Sequence, residues 1–165
     1  MSLQDSRLLV AGTISALNNA ITGQSVAATN ATVLSAYSVD LDSKSNGGVG
    51  QDVGEGAPLY FKWTVQTAPT GGTSIQFNVV VAGSADLSTT TPAVLASSPA
   101  VPVANLTIGS WGFVQVPPQI GSTGLEFLGA SFTCVVAITG AVIVGEFTNQ
   151  IDDPKEFYAS GFVVY

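Results

Sequence analysis

From Leu128 to Ile138 every second residue is apolar: Leu128, Ala130, Phe132, Cys134, Val136 and Ile138 fall on one side. Gly129, Ser131 and Thr133 fall on the other. A period of two is the signature of a strand whose alternate side chains face a core. Thr139-Gly140 then reads as a tight hairpin turn, because glycine takes the positive φ such turns need, and Ala141 to Thr148 is the returning strand. The same pattern recurs upstream. Val33, Ser35, Tyr37, Val39 and Leu41 share one face, Tyr60 to Val65 sets Lys62 opposite two aromatics, and Ile75, Phe77, Val79 and Val81 alternate with polar residues. Ala93 to Ala96, Val101 to Leu106 and Trp111 to Val116 are shorter strands bounded by prolines. No amphipathic crossover helix accompanies them, which excludes a parallel α/β fold. The expected fold is all-β, a jelly roll or β-sandwich of about eight antiparallel strands.

The first thirty residues depart from this pattern. The expected division is an N-terminal arm over 1–30 and a jelly-roll domain over 31–165. Val10, Ile14, Leu17 and Ile21 lie at helical spacing, with Thr13 as a possible cap and Gly23 as a stop. Thr, Ile, Gly and the Asn18-Asn19 pair favour helix poorly, so an extended arm is the preferred reading. Such an arm cannot bury Leu8, Leu9, Val10 and Ile14 alone and is expected to pack on a partner. The C-terminal Phe162, Val163, Val164 and Tyr165 form a second apolar end, expected to dock likewise. Arg7 followed by Leu8-Leu9-Val10-Ala11 faintly resembles a leader, but Asp5 and the interruptions at Gly12, Thr13 and Ser15 favour a retained segment of an intracellular protein.

Composition removes several chemistries. The chain has 165 residues and no histidine, and Cys134 is its only cysteine. That leaves no Ser-His-Asp triad, imidazole ligand, intramolecular disulfide or ordinary zinc site. Cys134 is expected to behave as a small buried hydrophobe. A net charge of −7 with four basic residues gives no basic patch for nucleic acid or for an anionic membrane. The longest apolar stretch, Val135 to Gly145, falls short of the ~20 residues of a spanning helix. Charged residues are 9% of the chain, against about 25% in an average domain. A folded monomer of this mass exposes roughly 7,600 Å², so part of this charge-poor surface is expected to be covered in the working state.

Candidate sites reduce to ordinary structure. Glycines 47, 48, 50, 54 and 56 do not fit a dinucleotide or phosphate-loop register. Asp40, Asp42 and Asn46 begin like a calcium loop, but Lys44 and Gln51 occupy ligand positions. Asp152, Asp153 and Glu156 beside Pro154 read as a solvated turn. Two carboxylates suffice for glycoside hydrolysis, but that chemistry also needs an aromatic-lined cleft. Trp63 and Trp111 are expected in the core or an interface. Neither catalytic residues, a metal nor a cofactor are expected.

Asp40-Leu41, the run Asp52-Val53-Gly54-Glu55-Gly56-Ala57-Pro58-Leu59-Tyr60 leading into a strand, Leu106-Thr107-Ile108-Gly109, Pro117-Pro118, the Phe132 to Phe147 hairpin, Asp153-Pro154, Tyr158 and Gly161-Phe162 occur in that order. Together with Arg7-Leu8-Leu9 they resemble the jelly-roll capsid cement proteins of tailed bacteriophages. The loop Asp42 to Gly50 is an insertion relative to that pattern. The resemblance implies a non-enzymatic decoration protein on the outer face of an HK97-type major capsid protein shell. It also implies a homo-dimer or homo-trimer, made in the host cytoplasm, that bridges capsomers. Two alternatives are another virion β-domain, from a tail, a head fibre or a receptor-binding protein, and a carbohydrate-binding or hydrolytic jelly roll using Trp63, Trp111 and the acidic cluster.

Overall fold

An alternating strand leaves one apolar face uncovered, and a second sheet laid on it removes that face from water. The computed structural model describes residues 8–41, 58–88, 91–118 and 125–151. The first strands are β1 (Leu9–Ala11), β2 (Thr13–Ile14), β3 (Ile21–Thr22), β4 (Gln24–Ser25), β5 (Ala28–Thr29), β6 (Thr32–Leu34) and β7 (Val39–Asp40). Next come β8 (Tyr60–Thr67), β9 (Thr70–Gly71), β10 (Ser74–Ala82), β11 (Ala93–Ser97) and β12 (Val101–Pro102). A 3-10 turn (Val103–Asn105), β13 (Trp111–Gln115), β14 (Phe127–Val135), β15 (Ala137–Thr139) and β16 (Val142–Thr148) complete the series. One sheet has the order β1-β16-β8-β13, with β4 also on β16. The other has the order β11-β10-β14-β6, with β12 on β10 and β7 on β14. The chain crosses between sheets from β8 to β10, from β12 to β13, from β13 to β14 and from β14 to β16. The fold is all-β, an antiparallel sandwich consistent with a jelly roll.

Aromatic rings join the sheets. Trp63 of β8 stacks on Phe77 of β10 with centroids 4.0 Å apart and planes 5° from parallel. Phe132 of β14 meets Phe77 edge-on at 5.9 Å and Phe61 of β8 at 6.3 Å. Phe61, Phe77 and Phe132 are fully buried. Gly112 of β13 lies against the same tryptophan, and a Cβ there would stand 2.4 Å from Trp63 Cζ2. Gly112→Ala is therefore expected to lower stability by about 1–3 kcal/mol through overpacking. Urea unfolding measures this, and an unchanged midpoint would mean that the indole yields without strain.

The late strand is buried as its alternation predicts through Cys134. Its thiol donates to Val26 O at 3.3 Å, and burial pushes its pKa up. The alternation then breaks. Val136 has φ 66° and is exposed, and β15 leaves for a small sheet with β5 and β9. Gly140 follows with φ 69°, the left-handed turn geometry that glycine accepts. Two further strand expectations are corrected. The stretch Val33 to Leu41 is split into β6 and β7, with Tyr37 N bonded to Val10 O at 3.0 Å between them. Val101 to Leu106 is strand only as far as Pro102, because the chain then tightens into the 3-10 turn.

The arm is neither helical nor free. β1 and β4 pair with β16 in the first sheet and β5 pairs with β15 in the small sheet, so the arm is held by strands of the body on both sides of the β2–β3 hairpin, whose two strands pair with each other. Amide side chains finish the attachment by imitating a backbone. Gln66 accepts from Gly23 N at 2.7 Å and donates to Ile21 O at 2.9 Å. Gln24 accepts from Ala36 N and donates to Leu34 O, both at 2.7 Å. Each glutamine thus satisfies one donor and one acceptor that no strand partner reaches.

The register defines two ends of the sandwich. At one, Thr67 pairs with Val142 and Ser74 with Val135, around the turns at residues 68–73 and at Gly140. At the other, Tyr60 pairs with Thr148 and Gln115, and Ala82 with Phe127.

Candidate functional site

Charge sorts these two ends. The charged residues among those described are Asp40, Lys62, Asp86, Glu126 and Glu146. Asp40 and Glu126 flank the β7–β14 pairing, where Leu41 N donates to Glu126 O at 2.7 Å. Ser38 Oγ reaches Ala85 O at 2.8 Å, which brings the Asp86 turn to the same end. Lys62 and Glu146 oppose each other across β8 and β16. The turn end carries no charge among the described residues. Threonine pairs hold it instead: Thr70 and Thr139 hydroxyls lie 2.7 Å apart, and Thr32 and Thr133 hydroxyls 3.1 Å apart.

Apolar side chains stand out on this uncharged part. Ile108, in the turn before β13, is 74% exposed, and Val135 and Val136 are also exposed. The β2–β3 hairpin carries Leu17 at its tip, 98% exposed. The tip has a defined shape. Ser15 and Ala20 close it through a 2.9 Å backbone bond, Asn19 N donates to Ser15 O at 2.9 Å, and Asn18 Oδ1 accepts from Ala20 N at 3.1 Å. At the foot of the hairpin an open groove of about 220 Å³ is lined by Leu9, Gly12, Thr13, Ile14 and Tyr37.

A second feature lies on the outer face of the first sheet. Phe113 meets Tyr60 edge-on at 5.6 Å and lies 25° from parallel to Trp111 at 6.4 Å. Lys62 Nζ stands 5.8 Å from the Trp111 ring centroid, a cation–π distance. Lys62 and Glu146 are both only 9% exposed. Phe113 remains about half exposed.

The residues expected from sequence to contact a partner divide. Leu9 and Val10 are 3% and 1% exposed, and this is a correction: the chain's own sheet covers them. Pairing to β16 supplies the burial that a second molecule was expected to provide. Leu8 packs partly buried against the core, and its carbonyl accepts from Phe147 N at 2.9 Å. Ile14 is half-buried at the groove. Phe162, Val163, Val164 and Tyr165 lie outside the described residues, as do Asp42 to Ala57 and Asp152, Asp153 and Glu156. Trp63 belongs to the core and presents no face to a ligand, whereas Trp111 sits on the outer face. Sequence reasoning placed Leu17 in a helical stripe and missed its exposure. The available signal was the adjacent Asn18-Asn19, since asparagine accepts left-handed φ and Asn19 has φ 53°.

No cluster of three or more His, Cys, Asp or Glu able to hold a metal occurs among the described residues. No helix of the described residues is long and apolar enough to cross a membrane. A family model described as Bbp16 matches residues 21–151. A search of curated proteins finds no match.

Proposed function

The chain belongs to the Bbp16 family, which is phage-related, and on that footing we propose that it is a virion structural protein acting as capsid cement. In this reading it binds the outer face of an HK97-type major capsid protein lattice as a homo-oligomer and bridges neighbouring capsomers. It acts without catalysis, cofactor, nucleic acid or membrane, after synthesis in the host cytoplasm. The observation that supports it is the uncharged turn end, a Thr/Ser/Asn/Gln/Gly surface with Ile108, Val135 and Val136 exposed, together with the exposed Leu17 at the tip of the uncharged β2–β3 hairpin. Short hydroxyl and small side chains lose little conformational entropy when covered. A protein that binds the assembled lattice better than separated capsomers stabilises the shell by mass action.

Purified protein added to expanded, undecorated shells should bind saturably and raise their resistance to heat and chelators. Binding that never saturates, or that leaves shell resistance unchanged, refutes the reading. The row Tyr60, Phe113 and Trp111 favours a second reading, a carbohydrate-binding virion module, because sugar rings stack on such faces. Specific glycan binding abolished by Trp111→Ala would select it.

A further inference from the structure

Strand β13 closes one side of the first sheet and, among the described strands, pairs with β8 alone. Val65 N donates to Ser110 O at 2.8 Å and Val116 N to Leu59 O at 2.9 Å, with an unbroken register between them. Alternate residues of an antiparallel pair bond toward the partner. Gly112 and Val114 therefore face β8, while Phe113 and Gln115 turn their N–H and C=O groups to the open side. We propose that residues 161–165 of the same molecule pair with this edge as a further antiparallel strand, bonded to Phe113 and Gln115. This pairing is a property of the isolated protein and does not rest on the cement reading.

Nothing in β13 itself protects its edge. Exposed edge strands are usually blunted by a charge, a proline, a bulge or shortness. The other edge of the first sheet, β1, is three residues long, and its Val10 O accepts from Tyr37 N. In the second sheet β11 has a register shift against β10 and stands between Pro92 and Pro99. The opposite edge of that sheet is split into β6 and β7. The five residues of β13, Trp-Gly-Phe-Val-Gln, have none of these devices.

Reach and direction favour the chain's own tail as the occupant. The structure describes the chain to Ile151, just beyond β16. Thr148, Tyr60 and Gln115 stand side by side at the ends of β16, β8 and β13. With strands about 4.8 Å apart, a position beyond β13 lies roughly 14 Å from β16. Residues 149–160 span up to ~40 Å when extended. β16 and β13 are both antiparallel to β8 and so run the same way. A chain doubling back from Thr148 thus runs antiparallel to β13.

Composition agrees. After Glu156 the chain has no charge and no proline, and Phe162, Val163, Val164 and Tyr165 are all strong strand formers. Beside β13 their alternating side chains meet apolar neighbours on both faces, the half-exposed Phe113 ring outside and the buried Val114 inside. A tethered segment acts at an effective concentration in the millimolar range, which favours it over a separate molecule. A strand this short leaves little new edge of its own.

Amide exchange of the full chain, read residue by residue by NMR, tests the pairing. Phe113 and Gln115 N–H should exchange on the order of a hundredfold more slowly than in an unstructured peptide, at every protein concentration. Adjacent residues of a strand direct their N–H groups to opposite sides, so Phe162→Pro and Val163→Pro together cover both registers. At least one of them should return Phe113 and Gln115 to fast exchange. Val114 and Val116, bonded to β8, should stay protected in both variants and so report an intact fold. Fast exchange at Phe113 and Gln115 in the unmodified chain would overturn the proposal, as would slow exchange that neither proline disturbs. Protection that rises with protein concentration would also overturn it, by assigning the edge to another molecule.

Discussion

Phe77→Ala should remove about 3–5 kcal/mol of stability, the range for deleting a fully buried phenylalanine. Total stabilities of domains lie at about 5–15 kcal/mol, so this one change takes a large share. Phe77 is the centre of the bridge between sheets. It stacks on Trp63 at 4.0 Å and takes Phe132 edge-on at 5.9 Å, so both rings lose a partner together. Collapse around the hole is restricted, because the Trp63 indole is already packed closely against the backbone of Gly112 on the neighbouring strand. Denaturant unfolding should show a lowered midpoint with an unchanged slope. A loss below about 1.5 kcal/mol, the tolerance of volume-conserving swaps, would mean that neighbours refill the space and that the bridge is replaceable.

Truncation of residues 1–11 should act as a core mutation. Val10 and Ala11 are buried in the core, Ala11 beside Phe61 at its partner Gly145, and Leu8 O receives Phe147 N. Losing Val10 removes about 1.5–3 kcal/mol of burial. Leaving the buried Phe147 N–H unmade adds about 1–3 kcal/mol. The melting temperature of the isolated protein should therefore fall by many degrees. If β1 were only a docking arm, the truncated protein would melt as the full chain does and lose partner binding alone. Equal melting temperatures for the two would reject the assignment of β1 to the core.

The parts of the fold that were legible are those where local pattern and tertiary demand coincide. β8, β10 and β14 follow their alternation because each has a sheet across from it, and Gly140 turns where its conformational freedom is needed. Legibility failed where a residue's partner is distant in sequence. Leu9 and Val10 look like an orphaned apolar run until β16, more than 130 residues later, is seen to pair with them. Val136 continues a perfect alternation, yet its left-handed backbone turns it outward as β15 changes sheets. Trp63 and Trp111 have similar apolar neighbours and opposite fates. The β8–β13 register pairs Trp63 with Gly112, whose missing side chain admits the indole, and sends Trp111 to the outer face.

The candidate surface was half legible for a related reason. Scarcity of charge is a property of composition, and it pointed correctly to a surface built from hydroxyls, amides and small residues. Its distribution was not visible, because which residues share an end depends on register and on crossings between sheets. By itself the sequence determined the class of fold, the long strands β8, β10, β14 and β16 of the central sandwich and the exclusion of histidine chemistry. These follow from period-two burial and from which side chains are present at all. Only the tertiary structure decided that the arm is core, that Leu17 stands exposed above a groove, and that the turn end is uncharged among the described residues. Burial and proximity are set by partners far along the chain, and no local pattern carries that information.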